Sequence, residues 1–82
     1  MNSYKITYLD GKELKINDKV LIDGKKTAYV KNILIPTTRE SLDYDCENGG
    51  FILVFENGDT QVWSYTDEDI ILISHHENIE HT

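Results

Sequence analysis

The sequence predicts an all-β domain, folded as a small barrel or a highly bent antiparallel sheet of about five to six short strands. The first observation behind this prediction is a series of short runs rich in β-branched and aromatic residues. The second is the turn signals between the runs, which are Asp10-Gly11, Asp23-Gly24 and Asn57-Gly58. The third is the length of 82 residues, which suits one domain with one core.

The first element is a predicted hairpin in YKITYLDGKELKI, residues 4–16. Its apolar side chains alternate through Tyr4, Ile6 and Tyr8, as they do along a half-buried strand. Asp10-Gly11 follows directly, and this pair supplies the positive φ that a tight turn needs. The two arms of the hairpin are therefore expected on either side of that turn.

Two further strands are predicted at residues 19–22 and 26–35, separated by Asp23-Gly24. The second is rich in β-branched and aromatic residues and ends before Pro36, which has no N–H to donate to a neighbouring strand. Thr37, with Glu40 three residues later, fits a capping box and predicts one helical turn.

The strongest strand signal follows the pair Gly49-Gly50, which is predicted to be a flexible junction. In FILVF, residues 51–55, the odd-numbered side chains face one way and Ile52 and Val54 face the other. Asn57-Gly58 predicts a two-residue type I′ turn into a returning strand at residues 60–65.

Trp63 and Tyr65 alternate on that returning strand, so both are predicted to point to the same face. If Val62 faces inward, the two aromatic rings form a surface pair. If Trp63 faces inward, it is the largest core residue, and this interpretation is favoured because a single Trp in a small barrel is usually at least half buried.

Residues 66–69 predict a single turn capped by Thr66, and residues 70–73 predict a buried closing strand. A single-turn helix directly before the last strand is typical of SH3-like barrels. The predicted fold is therefore a small SH3-like barrel or a highly bent antiparallel sheet with one or two single-turn helices. Residues 1–74 form the single β domain, and 75–82 form a polar C-terminal tail.

Charge is distributed unevenly along the chain, whose net charge is −7. Residues 1–31 carry seven of the eight bases and four acids, whereas residues 32–82 carry Arg39 and eleven acids. An acidic half disfavours a polyanionic partner and favours a basic one through long-range attraction.

The composition predicts a cytoplasmic protein. The single cysteine, Cys46, has no second cysteine with which to form an internal disulfide, and residues 1–11 are too polar for a secretory signal. No segment reaches the roughly 20 apolar residues that would span a membrane.

No residue pattern predicts catalysis, so the protein is expected not to be an enzyme. Cys46 lies between Asp45 and Glu47, which disfavour a reactive thiolate. Asp67, Glu68 and Asp69 would share one solvated environment, whereas acid–base catalysis needs carboxylates in different environments.

No metal or cofactor is expected either. The candidate metal ligands in the C-terminal tail lack a second shell to fix their geometry. They are His75, His76, Glu77, Glu80 and His81.

The lysines of residues 1–31 are the candidate nucleic-acid surface. DKVLIDGKKTAYVKNI, residues 18–33, is similar to the KOW-type opening of RNA-binding barrels, but Ala28 stands where that pattern has glycine. The region lacks arginine and the net charge opposes phosphate, so nucleic-acid binding is not expected.

Three segments resemble a group of short bacterial proteins: YLDGKELKINDKVLIDG at residues 8–24, GGFILVFENGDTQVWS at 49–64 and DEDIILIS at 67–74. Members of that group are often immunity proteins encoded beside polymorphic toxins, including those of contact-dependent growth inhibition. The resemblance implies a non-enzymatic binding protein and assigns no catalytic residue.

Together, charge and resemblance predict an immunity protein, a monomer or weak dimer, that neutralises a basic, nuclease-like toxin domain. The predicted toxin-facing residues are the acids and tyrosines of two segments: Glu40, Asp43, Tyr44, Asp45, Glu47, Tyr65, Asp67, Glu68 and Asp69. Two alternatives remain, an acidic DNA-mimic inhibitor of phage origin and a ribosome- or polymerase-associated barrel that binds nucleic acid.

Overall fold

The fold is known from a computed structural model, which describes residues 4–75. Within these residues the chain forms five β-strands and one short helix. The elements in chain order are β1 (Lys19–Ile22), β2 (Lys26–Leu34), α1 (Arg39–Asp43), β3 (Gly50–Phe55), β4 (Thr60–Trp63) and β5 (Ile70–Ser74).

All five strands belong to one antiparallel sheet with the order β4-β3-β2-β1-β5. The first four strands follow one another as a meander, and β5 returns to pair with β1. The predicted all-β class is therefore confirmed, with five strands and one single-turn helix in the part of the chain described.

The main core covers one face of the sheet. It receives Val20 and Ile22 from β1, the odd-numbered apolar side chains of β3, and Ile6, Tyr8 and Leu14 from the segment before β1. A smaller cluster of Leu34, Cys46 and Ile52 covers part of the opposite face. Strand β3 is therefore buried on both faces, which explains its nearly continuous apolar sequence.

A β-bulge at Lys31 lets β2 contribute to both clusters. The pairing of β2 with β3 shifts between Val30, opposite Leu53, and Asn32, opposite Ile52. One extra residue reverses the alternation of side chains. Val30 before the bulge and Ile33 after it therefore both contact the main core, and Leu34 enters the smaller cluster.

The predicted type I′ turn at Asn57-Gly58 is wrong, because the connection from β3 to β4 is a three-residue loop. The N–H of Gly58 donates to the Phe55 carbonyl at 2.9 Å, and the N–H of Phe55 donates to the Asp59 carbonyl at 2.8 Å. Gly58 has φ of 94°, whereas φ is not positive at Asn57. A three-residue hairpin loop places only its last residue in the left-handed region, and glycine suits that position.

Two consecutive residues with positive φ occur instead at Asp23 and Gly24, between β1 and β2. Their φ values are 56° and 67°, which is the backbone signature of a type I′ turn.

The predicted N-terminal hairpin forms its turn but not two full strands. Gly11 has φ of 91° and its N–H donates to the Tyr8 carbonyl at 2.9 Å. Beyond the turn there is one isolated bridge, Thr7 to Glu13, rather than a ladder. Two backbone hydrogen bonds, from Tyr8 to Lys12 and from Leu14 to Ile6, and the buried side chains of Ile6, Tyr8 and Leu14 hold the segment.

Gly49-Gly50 is not the flexible junction that was predicted. Both residues are buried, and Gly50 begins β3. A Cβ atom would overlap the Tyr4 hydroxyl at position 49 and the Trp63 carbonyl oxygen at position 50. The two glycines therefore allow close packing of the chain.

Three predictions about the second half need correction. The strand after the hairpin ends at Trp63 rather than Tyr65. A hydrogen-bonded turn over residues 67–70 replaces the predicted helical turn, and Asp67 rather than Thr66 caps it. In β5 only Ile70 is buried, because the strand lies at the edge of the sheet.

Candidate protein-binding surface

The first group of predicted site residues belongs to a loop with a defined structure. Thr38, not the predicted Thr37, is the N-cap of α1, and it forms a capping box with Ser41. The Ser41 N–H donates to Thr38 Oγ1 at 3.2 Å, and the Thr38 N–H donates to Ser41 Oγ at 3.1 Å. Ser41 is fully buried, so the cap also anchors the helix to the body of the protein.

The segment after α1 folds back on the helix. The N–H of Cys46 donates to the Ser41 carbonyl at 2.7 Å, and the N–H of Thr37 donates to the Glu47 carbonyl at 3.0 Å. These bonds close residues 37–47 into one compact loop. Its backbone is constrained although most of its side chains face the solvent.

We call the exposed side chains of this segment the acidic loop; they are Glu40, Asp43, Tyr44, Asp45 and Glu47. The Glu40 carboxylate accepts a hydrogen bond from Asn32 Nδ2 at 2.8 Å. Within residues 4–75, no lysine or arginine lies within 4.0 Å of any of these carboxylates. Their negative charge is therefore not neutralised by a direct ion pair with the described bases.

The second group of predicted residues surrounds the turn before β5. Tyr65 is 66% exposed, and Glu68 and Asp69 are also exposed. Asp67 is half-buried, and its Oδ1 accepts a hydrogen bond from the Asp69 N–H at 2.8 Å. This bond fixes the turn and directs three carboxylates to one region.

Crowding of the carboxylates affects the acidity of Asp69. Reduced hydration raises the pKa of Asp69, and the nearby charges of Asp23, Asp67 and Glu68 raise it further. Asp23 lies close to Asp69 because the Asp23 N–H donates a hydrogen bond to the Asp69 carbonyl at 2.8 Å. An acid remote in sequence therefore joins this group.

Parts of the two groups meet beside Ser64. A shallow depression of about 350 Å³ is lined by Asp45, Glu47 and Ser64 among others. Ser64 also lines a second depression, which contains Tyr65 and Asp67. Ser64 therefore lies between the acidic loop and the pair Tyr65 and Asp67, although about twenty residues separate these segments in sequence. Asp69 lies instead at the other end of the sheet, where Ile70 pairs with Ile22.

The structure decides which of Val62 and Trp63 faces the core. Trp63 lies opposite Phe51 in the sheet, and their ring centroids are 6.1 Å apart. Trp63 is partly buried against the main core, as favoured from the sequence, while Val62 lies on the opposite face and is 39% exposed. Because β4 ends at Trp63, Tyr65 no longer follows the strand alternation and faces the solvent.

The sequence prediction missed a buried polar network centred on Asp18, which is 1% exposed. Asp18 Oδ2 accepts hydrogen bonds from the Tyr8 hydroxyl and the Lys15 N–H, each at 2.8 Å. Asp18 Oδ1 lies 2.6 Å from Nδ1 of His75. In the sequence Asp18 looks like a surface turn residue, and no local signal indicates partners 10 and 57 positions away.

The network strongly affects Tyr8. Burial raises the pKa of the Tyr8 hydroxyl, and the hydrogen bond to Asp18 and the charges of Asp18 and Asp10 raise it further. A phenolate beside a buried carboxylate would be repelled, so Tyr8 remains a hydrogen-bond donor. Its role in this structure is to join the N-terminal segment to the start of β1.

The remaining candidate residues are placed as follows. Cys46 is buried and packs with Leu34 and Ile52. Within residues 4–75, no group of three or more His, Cys, Asp or Glu side chains could hold a metal ion. His75 contacts Asp18, whereas His76, Glu77, Glu80 and His81 lie outside the described residues.

No helix in the described part of the chain is long and apolar enough to cross a membrane. In comparisons with known proteins, no family model, curated protein or solved structure matches the chain. The resemblance to immunity proteins therefore stays a prediction that depends on the strand and turn motifs quoted above.

Proposed function

We propose that this chain is a non-enzymatic, cytoplasmic immunity protein that binds and neutralises a basic, nuclease-like toxin domain. The observation that carries the proposal is the side of the molecule formed by the acidic loop with Tyr65 and Asp67, which adjoin it through Ser64. Its carboxylates have no lysine or arginine within 4.0 Å among the described residues. This arrangement leaves them available to the cations of a partner.

The physical basis of the proposal is competition with nucleic acid. A nuclease domain binds phosphates through lysine and arginine, and carboxylates can replace phosphates as partners of those side chains. An excess of negative charge also accelerates encounter with a basic protein, to an extent that decreases as salt is added. A small acidic protein can therefore occupy a basic substrate site before nucleic acid reaches it.

Two exposed tyrosines add apolar contact area to this side. Tyr44 is 46% exposed and lies between Asp43 and Asp45 in the sequence. Tyr65 is 66% exposed and lines a depression together with Asp67. Tyrosine is enriched among the residues that dominate binding energy, because its ring buries a large area and its hydroxyl forms hydrogen bonds. We therefore assign the anchoring contacts to the tyrosines and the orientation of the partner to the carboxylates.

No observation specifically favours either of the two alternative functions, an acidic DNA-mimic inhibitor or a nucleic-acid-binding barrel. An acidic DNA-mimic inhibitor would use the same physics against a different enzyme. For a nucleic-acid-binding barrel, the lysines would need an anion-binding surface. Lys25 and Lys26 do line a cleft of about 320 Å³, but Glu56 and Asp59 line it as well. Carboxylates in the same cleft oppose phosphate binding.

The test compares two double charge reversals of equal size. Asp43→Lys with Glu47→Lys changes the acidic loop, and Glu13→Lys with Glu56→Lys changes exposed acids elsewhere. Binding is measured by calorimetry against the domain encoded by the neighbouring reading frame, at about 0.05 M and 0.5 M salt. We expect the acidic-loop variant to bind at least tenfold more weakly and the control variant to bind within about threefold of the parent.

Survival of cells that express the neighbouring domain gives the functional measurement. The parent and the control variant are expected to protect, and the acidic-loop variant is not. Equal binding and protection by both variants would exclude the acidic loop as the toxin-facing surface. Absence of binding by the parent at either salt concentration would contradict the proposed function itself.

A further inference from the structure

Strand β5 lies at the edge of the sheet. It pairs with β1 on one side, and no other backbone segment of residues 4–75 pairs with it on the other. Natural edge strands are commonly protected by a charged residue, a proline, a bulge or a covering segment. The sequence of β5, IILIS, contains no charge and no proline. A bulge at Ile73 interrupts the pairing with β1 near the end of the strand, but residues 70–72 pair with β1 in regular register. The outer edge of residues 70–72 is therefore available to another strand.

Exposed apolar side chains adjoin the same edge. Ile71 and Ile73 of β5 are 53% and 47% exposed, and Leu9 in the N-terminal turn is 68% exposed. Leu9, Ile71 and Leu72 line a cleft of about 240 Å³ between that turn and β5. The cleft has room for one aliphatic side chain of an added segment.

Carboxylates surround one end of this cleft. Asp10, Asp67 and Glu68 line it directly, and Asp69 follows in the same turn. The basic group nearest to these acids is Lys12, whose Nζ is 4.0 Å from Asp10 Oδ2. The opposite end of β5 is different, because Ser74 lies across from Lys19 of β1. Negative charge therefore decreases along β5 from Asp67 towards Ser74.

We propose that β5 and the Leu9–Ile71 cleft bind an extended segment of a basic partner, which pairs with β5 as a sixth strand. An aliphatic side chain of that segment occupies the cleft, and a neighbouring lysine or arginine contacts Asp67 and Glu68. This inference rests on the proposed function for the basic character of the partner, and it adds the way in which the partner is held. A second copy fits less well, because each copy has a net charge of −7.

The first experiment uses a synthetic peptide of alternating valine and lysine as the probe. Binding is followed by amide NMR shifts of the ¹⁵N-labelled protein up to about 1 mM peptide. We expect shifts at Leu9 and at residues 67–73, with slower hydrogen exchange of β5 amides. A peptide with glutamate in place of lysine tests charge, and a peptide N-methylated at alternate residues tests backbone pairing. Both are expected to bind at least tenfold more weakly.

A pair of variants tests the position of the site. Ile71→Lys places a charge at the cleft, and Ile16→Lys makes the same change at a residue that is 48% exposed elsewhere. We expect Ile71→Lys to weaken peptide binding at least tenfold and Ile16→Lys to leave it unchanged. Equal affinity for both variants, or shifts confined to residues 40–47, would overturn strand addition at β5. Concentration-dependent shifts of β5 without peptide would overturn it in favour of a second copy.

Toxin binding tests the proposed function, whereas peptide binding tests strand addition at β5. If Asp43→Lys with Glu47→Lys abolishes toxin binding but Ile71→Lys retains full affinity, the proposed function stands and strand addition fails. If the valine–lysine peptide binds at β5 and the toxin domain does not bind, the immunity proposal fails while the edge site remains. The two proposals can therefore be refuted independently.

Discussion

At the scale of single residues, Asp18 is a buried carboxylate whose burial depends on specific hydrogen-bond partners. A buried carboxylate is strongly unfavourable unless hydrogen bonds satisfy it. Here Tyr8, Lys15 and His75 satisfy it from before β1 and after β5. These contacts link the N-terminal segment to the last described residue, so Asp18 ties both ends of the described chain to β1.

Replacing Tyr8 with Phe tests this network through its pH dependence. At neutral pH we expect a loss of about 1–3 kcal/mol of unfolding free energy, because buried Asp18 loses a donor. The pKa of Tyr8 is higher in the folded state than in the unfolded state. Its contribution to stability is therefore present below about pH 10 and is lost as pH increases further.

The measurement is urea unfolding between about pH 8 and pH 11. Tyr8→Phe should lose less stability over that range than the parent, since it has no phenol to ionise at this position. Tyr29→Phe, at an exposed tyrosine of β2, is the control and should follow the parent. Parallel pH curves for the parent and Tyr8→Phe would contradict the raised pKa.

At the scale of elements, the acidic loop depends on the cap of a helix of only five residues. An isolated helix of this length is not stable in water. The Thr38–Ser41 capping box and the hydrogen bonds that close residues 37–47 therefore hold it in place. The arrangement of Glu40 and Asp43 depends on those local bonds.

The two adjacent threonines provide a direct comparison. Thr38→Ala should decrease the unfolding free energy by about 1 kcal/mol and accelerate hydrogen exchange at residues 41–46, because it removes the N-cap. Thr37→Ala should change stability by less than about 0.5 kcal/mol. Its φ of 61° disfavours a β-branched side chain, so the substitution also relieves backbone strain at this position. A larger loss for Thr37→Ala would contradict the observed cap.

Much of the element pattern could be predicted from sequence, because alternation and turn chemistry are local. The bounds of β1 match residues 19–22, and β3 was predicted within one residue. The bulge in β2 was not predicted, because it follows from pairing with β3 and not from the sequence of β2 alone. The turn at Gly58 was misassigned because Asn-Gly is compatible with both loop lengths.

At the scale of the whole molecule, negative charge is poorly balanced within the fold. The described residues contain one lysine–carboxylate pair within 4.0 Å, Lys12 with Asp10, and both side chains are exposed. An exposed pair contributes little stability. Mutual repulsion of the carboxylates therefore opposes folding in the free protein.

Salt should consequently stabilise the isolated protein while weakening its complex with a basic partner. Between about 0.02 M and 0.5 M sodium chloride, we expect the melting temperature of the free protein to rise. The rise should be smaller for Asp43→Lys with Glu47→Lys, whose net charge is −3 in place of −7. Scanning calorimetry provides the measurement, and potassium chloride should give the same trend. A decrease in melting temperature with salt would contradict the repulsion.

The sequence alone determined the all-β class, the positions of most strands and the excess of acids in the second half. Those properties depend on residue type and short-range spacing. Tertiary structure alone decided that Ser64 brings the acidic loop beside Tyr65 and Asp67, and that Asp23 joins the acids near Asp69. It also decided that β5 is an exposed edge and that Asp18 is buried. Each of these depends on contacts between segments distant in sequence, which no local pattern specifies.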